Sequence, residues 1–259
     1  MTLWVYNGVN LSDYGTITRI DDPFNLPETR GENMTIPFTH GTFDVEKFYT
    51  SRKVAFEIAK LHASIAALET AFDAMRKNFA ARGQKLLVGT LDNGSVRQAY
   101  ARVENILDVE RGVGGRFARF IVEFTLAEPF FRSDTLSSQT ITIDASPKTE
   151  TIVNGGTVEE RNPTIVLTGP LTNPVITNTT NDVSLTYTGV ISAGNTVTIQ
   201  KTNNQYVATH SISGNVIGNI THSGDTALMV LVAGDNSMSI TSAVTTTGTV
   251  AFEFYEPYL

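Results

Sequence analysis

The sequence predicts a mainly β protein with one main α-helix: an α+β N-terminal half that carries a long hairpin, then a β-sandwich. Three observations carry this reading. Only "LHASIAALETAFDAMRKNFAARG" places apolar residues at helical spacing. The stretch "FARFIVEFTL" alternates strictly, with Ala118, Phe120, Val122, Phe124 and Leu126 all on one face of a strand. From about residue 136 the chain changes to short β-branched runs set off by Gly, Asn and Pro, and Thr supplies 24 of the last 124 residues.

The helix runs along Ile65, Leu68, Phe72, Met75 and Phe79, at steps of three and four, which makes one core-facing stripe. Gly83 is placed to end it, and Arg76, Lys77 and Arg82 suit the negative end of its dipole. Next, "QKLLVGT", the turn "LDNGS" and "VRQAYARVENIL" predict a β-hairpin, with Asn93-Gly94 supplying the positive φ of a tight turn. A longer excursion follows, in which "ARVENILDVE" and "RFARFIVEFTL" form arms of about ten residues joined by "RGVGG". Its second arm stops at Glu128-Pro129, because proline has no N–H for the next ladder position. Phe130 and Phe131 then read as exposed, ahead of a polar run.

The composition breaks there, which predicts two domains, residues 1–134 and 135–259. In the second, "NPTIVLTG" and "NPVITNTT" each set an Asn-Pro turn before a strand. "VSLTYTGV", "NTVTIQ", "TALMVLVAGDNSMSI" and "GTVAFEFYEPYL" continue at the even spacing of a sandwich.

Several function classes are disfavoured. Of 259 residues 41% are hydrophobic and 17% charged, enough for a packed core. No apolar run approaches the ~20 residues of a membrane span, and the start has no signal-peptide pattern. Cysteine is absent, which removes disulfides and thiolate chemistry. Residues 1–135 hold 16 Lys/Arg against 17 Asp/Glu, and residues 136–259 hold 3 against 9. Nucleic-acid binding needs clustered cations to displace counterions, so the second half is unsuited to it.

Catalytic and metal groups are thin, and the expectation is no catalytic residue, no metal and no cofactor. His40, His62, His210 and His222 form no H-x-H or H-x-x-x-H pair. "RGVGGR" lacks the G-K-[ST] ending of a phosphate loop and reads as a hairpin tip. Asp21-Asp22 and Glu159-Glu160 are adjacent, which on a strand sends their carboxylates to opposite faces. A sugar-binding sandwich is the alternative, but such sites favour a stacking tryptophan. Trp4 is the only one and lies in the other half; Tyr187, Tyr206, Tyr255 and Tyr258 remain as stacking candidates.

A hairpin whose apolar face outruns its local sheet must bury that face or aggregate. A neighbouring copy is an economical partner, and a head-to-tail contact of this kind closes into a ring when its rotation permits. The contact is expected at Tyr100, Val103, Arg111, Arg116, Phe120, Val122 and Phe124.

The chain also resembles the distal tail proteins of long-tailed bacteriophages. "YNGVNLSDYG", "HGTFD", the strand–helix–hairpin order and "VEFTLAEPFF" carry the likeness in the first half. "NPTIVLTG", "NPVITN", "LTYTGVISAGNTVTIQ" and "LVAGDNSMSI" carry it in the second. The resemblance implies a six-membered ring below the tail tube, a belt hairpin at Arg97–Leu126, and a galectin-like second domain. It implies a virion tail-tip location after assembly in the host cytoplasm. The implied partners are tail tube, tape measure and receptor-binding proteins, with DNA passing the ring without specific binding and no membrane contact. The chain has neither an evident inserted sugar-binding module nor the Trp-centred site of true galectins. Fold similarity therefore does not imply lectin activity.

Overall fold

The computed structural model describes residues 3–21, 25–36, 40, 42–43, 47–112, 114–224, 227–243 and 247–259. Asp22, Gly41 and Asp44 of "HGTFD", Val113 of the hairpin tip, and Asp225 and Thr226 lie outside the described residues. The chain divides into two units, Met1–Arg132 and Ser133–Tyr258.

The first unit begins with β1 (Leu3–Tyr6), β2 (Val9–Asn10) and β3 (Thr16–Asp21). Two short ladders follow, of β4 (Thr29–Arg30) with β7 (Phe48–Tyr49) and of β5 (Met34–Thr35) with β6 (Thr42–Phe43). The main elements are β8 (Arg52–Leu61), α1 (Ile65–Phe79), β9 (Lys85–Thr90), β10 (Val96–Gly112) and β11 (Phe117–Leu126). Their antiparallel pairing runs β2-β1-β9-β10-β11-β8-β3. Within the first unit the 17 residues of β10 pair in two stretches: Val96–Ala101 face β9 and Ala101–Gly112 face β11.

The strand β8 immediately precedes the helix, and its Val54, Phe56 and Ile58 alternate as clearly as β11 does. It lies along the whole of β11, from Phe117↔Leu61 to Leu126↔Arg52. β11 is therefore an interior strand with neighbours on both edges, and its one-sided apolar pattern belongs to the core of its own unit.

Helix α1 covers that core. Ser64 caps it, its side chain accepting from the Ala67 N–H at 3.1 Å. Leu68, Phe72, Met75 and Phe79 are buried, whereas Ile65 is 54% exposed and drops out of the expected stripe. The helix stops at Phe79, with Ala80 as its C-cap, four residues before Gly83. In the β9–β10 turn only Gly94 takes positive φ (84°); Asn93 contributes its side-chain oxygen, which accepts from Ser95 N. Gly89 is needed for another reason: a Cβ there would lie 2.7 Å from the Trp4 ring.

The second unit holds β12 (Phe131–Ile143, from Ser133 on), β13 (Lys148–Asn154), β14 (Thr164–Thr168), β15 (Leu171–Thr172), β16 (Val175–Asn178) and β17 (Val183–Tyr187). Then come β18 (Val190–Ile191), β19 (Thr196–Thr202), β20 (Gln205–His210), β21 (Gly214–Asn215), β22 (Ile220–His222), β23 (Gly234–Thr241) and β24 (Gly248–Tyr258). One layer is ordered β12-β24-β14-β19-β20-β21 and the other β13-β23-β16-β17-β22. Inward residues of both, such as Ile165, Val197 and Phe252 on one and Ile176, Leu185 and Ile240 on the other, build a single apolar core.

"TALMVLVAGDNSMSI" is not one strand. Only Gly234–Thr241 is extended; Ala227, Leu228, Met229 and Leu231 are buried in irregular backbone. Three fully buried asparagines, together with a backbone bridge between Leu231 and Glu160, hold that segment. Asn178 Nδ2 donates to Val230 O at 2.8 Å, Asn154 Nδ2 to Leu231 O at 3.1 Å, and Asn236 Oδ1 accepts from Val232 N at 2.8 Å.

Candidate interface on the long hairpin

The register of β10 on β11 decides which way each expected contact residue points. Phe120 is 3% exposed and Val122 and Phe124 not at all. Phe124 packs its ring against Tyr6 at 4.8 Å, Phe56 at 5.6 Å and Phe79 at 6.1 Å, and Phe120 meets Phe72 of α1 at 6.3 Å. These three side chains are packed inside their own unit. The cause is α1, whose stripe closes over the face that seemed to need a neighbour.

Val103 and Arg111 lie on the same side of the hairpin, opposite Phe124 and Ala118. Val103 is half-buried. Arg111 reaches α1, its Nη1 donating to Glu69 Oε1 at 2.7 Å and its guanidinium lying 5.4 Å from the Phe72 ring. Arg116, in the turn, donates to Ala63 O at 3.4 Å, and its carbonyl accepts from His62 N at 2.9 Å. The hairpin tip is thus fastened to its own helix. Of the seven expected residues Tyr100, Arg111 and Arg116 are exposed, Tyr100 to 65% and on the outward face.

The outward face is the one that sequence reasoning passed over. Its β11 residues are Phe117, Arg119, Ile121, Glu123 and Thr125, all half-buried. They are the complement of the apolar alternation, so the same period-two count would have found them. Arg119 anchors this face, donating to Glu57 Oε1 on β8 at 2.9 Å and to Glu110 Oε2 at 3.4 Å. Glu57 also accepts from Thr18 Oγ1 at 2.8 Å. Those bonds, the one from Arg119 first, hold the Glu57 carboxyl below the usual carboxylate range and raise Arg119 further. The face is therefore a patterned mixture of apolar side chains and paired charges.

Other candidates of chemistry stay apart. His62 lines a small cavity under α1 with Tyr14, Phe72, Met75 and Phe120, and burial, reinforced by Lys60, pushes its pKa down. His210 is held by its turn, its Nδ1 accepting from Ile212 N at 3.1 Å, while His222 lies in the other layer. His40 is exposed. Glu159 pairs with Arg161, whereas Glu160 is buried and accepts from Asn162 N at 2.7 Å. Among the described residues no three His, Asp or Glu side chains are grouped to hold a metal ion, and no helix is long and apolar enough to cross a membrane.

The stacking candidates are equally dispersed. Trp4 is fully buried between Phe56 and Phe131, which is itself fully buried rather than exposed as expected. Tyr187 is 3% exposed, Tyr206 bonds Asn162 Oδ1 at 2.9 Å, Tyr258 bonds Glu256, and Tyr255 is 38% exposed.

No family model and no curated protein matches the sequence. Solved structures do match. The crystal structure of the SPP1 Dit protein, described as a paradigm of the hub adsorption apparatus in phages infecting Gram-positive bacteria, superposes with a TM-score of 0.74. It covers 100% of both chains at 15% identity. Chains of the phage P2 baseplate in its activated conformation, with calcium or with strontium, align over 98% of each chain. Their identities are 5% and 8% and their TM-scores 0.47 and 0.43. The chain, over its whole length, has the fold of the SPP1 Dit protein.

Proposed function

We propose that the chain is a distal tail protein of a long-tailed phage, a structural hub component and not an enzyme, which assembles into a six-membered ring joining the tail tube to the tip. The supporting observation is the end-to-end match to the SPP1 Dit protein, TM-score 0.74 over 100% of both chains. Sequence motifs in both halves resemble the same family. Tail tube, tape measure and receptor-binding proteins are the proposed partners, the virion tail tip the location, and the second unit a galectin-like sandwich.

The burial pattern moves the proposed subunit contact. Tyr100 remains in it, joined by the outward residues Phe117 and Ile121, while Phe120, Val122 and Phe124 keep their place in the core. The DNA passage is served by the near balance of charge in residues 1–135, because each neutralised phosphate would strengthen non-specific grip. Against the sugar-binding alternative, Trp4 and Tyr187 are buried, which leaves Tyr206, Tyr255 and Tyr258 of the stacking candidates.

Native mass measurement with negative-stain microscopy of the purified chain tests this reading. Rings with a mass six times that of the chain are expected. A monodisperse monomer at micromolar concentration, alone and with tail tube protein, would overturn it.

A further inference from the structure

We propose that the open edge of β13 is a strand-addition site for an extended polypeptide segment carrying a basic side chain. The idea is independent of the hub reading. β13 ends its five-stranded layer and, among the described residues, pairs with β23 only. Beside it Gln139 of β12 does what a neighbouring peptide group would do. Its Nε2 donates to Val153 O at 2.7 Å, and its Oε1 accepts from Val153 N at 2.8 Å. One side-chain amide thus shows that this edge takes a paired donor and acceptor.

Outward backbone groups recur at every second residue of a strand. The N–H and C=O of Thr151 and Thr149 therefore point the same way as those of Val153. Thr151 borders a cleft of about 290 Å³ lined also by Gln139–Thr142 of β12 and by Lys148, Glu150 and Ile152. Thr149, Glu150 and Thr151 are exposed. Main-chain bonds along such an edge supply affinity, and alternate side chains supply selectivity.

Charge selects the occupant. Lys148 Nζ lies 3.0 Å from Asp144 Oδ1 and 3.3 Å from Glu150 Oε1, so two carboxylates share one ammonium. Residues 136–259 as a whole hold 3 basic against 9 acidic groups. An incoming Lys or Arg beside Glu150 completes the neutralisation. A second copy of β13 would bring the same excess of negative charge and is disfavoured. Gln139 is then an internal competitor that occupies the Val153 end until a longer strand displaces it.

Amide hydrogen exchange on the full chain tests this, with a short acetylated peptide of alternating Thr and Val carrying two Lys, and its twin with Glu in their place. The Lys peptide at millimolar concentration is expected to slow exchange at Thr149 and Thr151 about tenfold, and the Glu peptide to leave it unchanged. Gln139→Ala should bind the Lys peptide several-fold more tightly. Thr151→Pro, which removes an outward N–H without touching the ladder to β23, should abolish binding while the melting transition is retained. Equal protection by both peptides, none with either the native chain or Gln139→Ala, or full binding by Thr151→Pro would each overturn the proposal. Self-association lost on Thr151→Pro would overturn it in favour of a second copy as occupant.

Discussion

Arg111, near the tip of the long hairpin, meets Glu69 of helix α1 at 2.7 Å, so that the hairpin is tied to the subunit it belongs to. Both side chains are about half exposed, 45% and 46%, which limits what the pair contributes to stability. In the isolated chain Glu69→Ala with Arg111→Ala should show a coupling of about 0.2–1 kcal/mol by urea denaturation. A coupling several times larger would mean that the hairpin's position is fixed by this pair alone. A larger effect of Arg111→Ala on ring assembly than on unfolding would mark the hairpin as an element that is rearranged in the oligomer.

Phe124 separates a core role from a contact role. Truncation to Ala should cost about 3–5 kcal/mol, because the side chain is fully buried among three aromatic rings. Phe124→Asp should abolish folding of the first unit, read by near-ultraviolet circular dichroism. A folded monomeric Phe124→Asp chain that merely fails to assemble would contradict the burial.

Acid should loosen the outward face through Glu57. Its folded pKa is lowered by Arg119 and Thr18, so the stability it contributes is present above the unfolded carboxylate pKa near 4.5 and is lost as pH falls through the folded value. Glu57→Gln should flatten the pH dependence of unfolding below about pH 4.5 and change little at pH 7 beyond a constant offset. His62 adds a slope of the same sign at higher pH. Its folded pKa is lowered, so stability falls as pH drops from about 6.5 towards that value. His62→Phe should remove that part alone.

Asn236 tests the pinning of the irregular segment before β23. Its amide oxygen accepts from Val232 N and Asn178 Nδ2, and its nitrogen donates to Val232 O and Gly234 O. Asn236→Leu strands buried backbone groups, and the second unit should lose about 2–4 kcal/mol in calorimetric or urea unfolding. A loss below about 0.5 kcal/mol would show that another group takes over these bonds.

The element types were legible in the sequence wherever one period dominates. The helix stripe at Leu68, Phe72, Met75 and Phe79, the alternation of β11, and the Asn-Pro turns before β14 and β16 all specify local conformation through spacing alone. What needed the tertiary structure was the choice of partner for each apolar face. Periodicity says that Phe120, Val122 and Phe124 must be buried, but burial is non-directional, and α1 with β8 satisfies it as well as another subunit would. Partners far apart in the chain, such as Gln139 with Val153 or Asn178 with Val230, arise from backbone groups that every residue carries. No residue pattern announces them until the strands are in register.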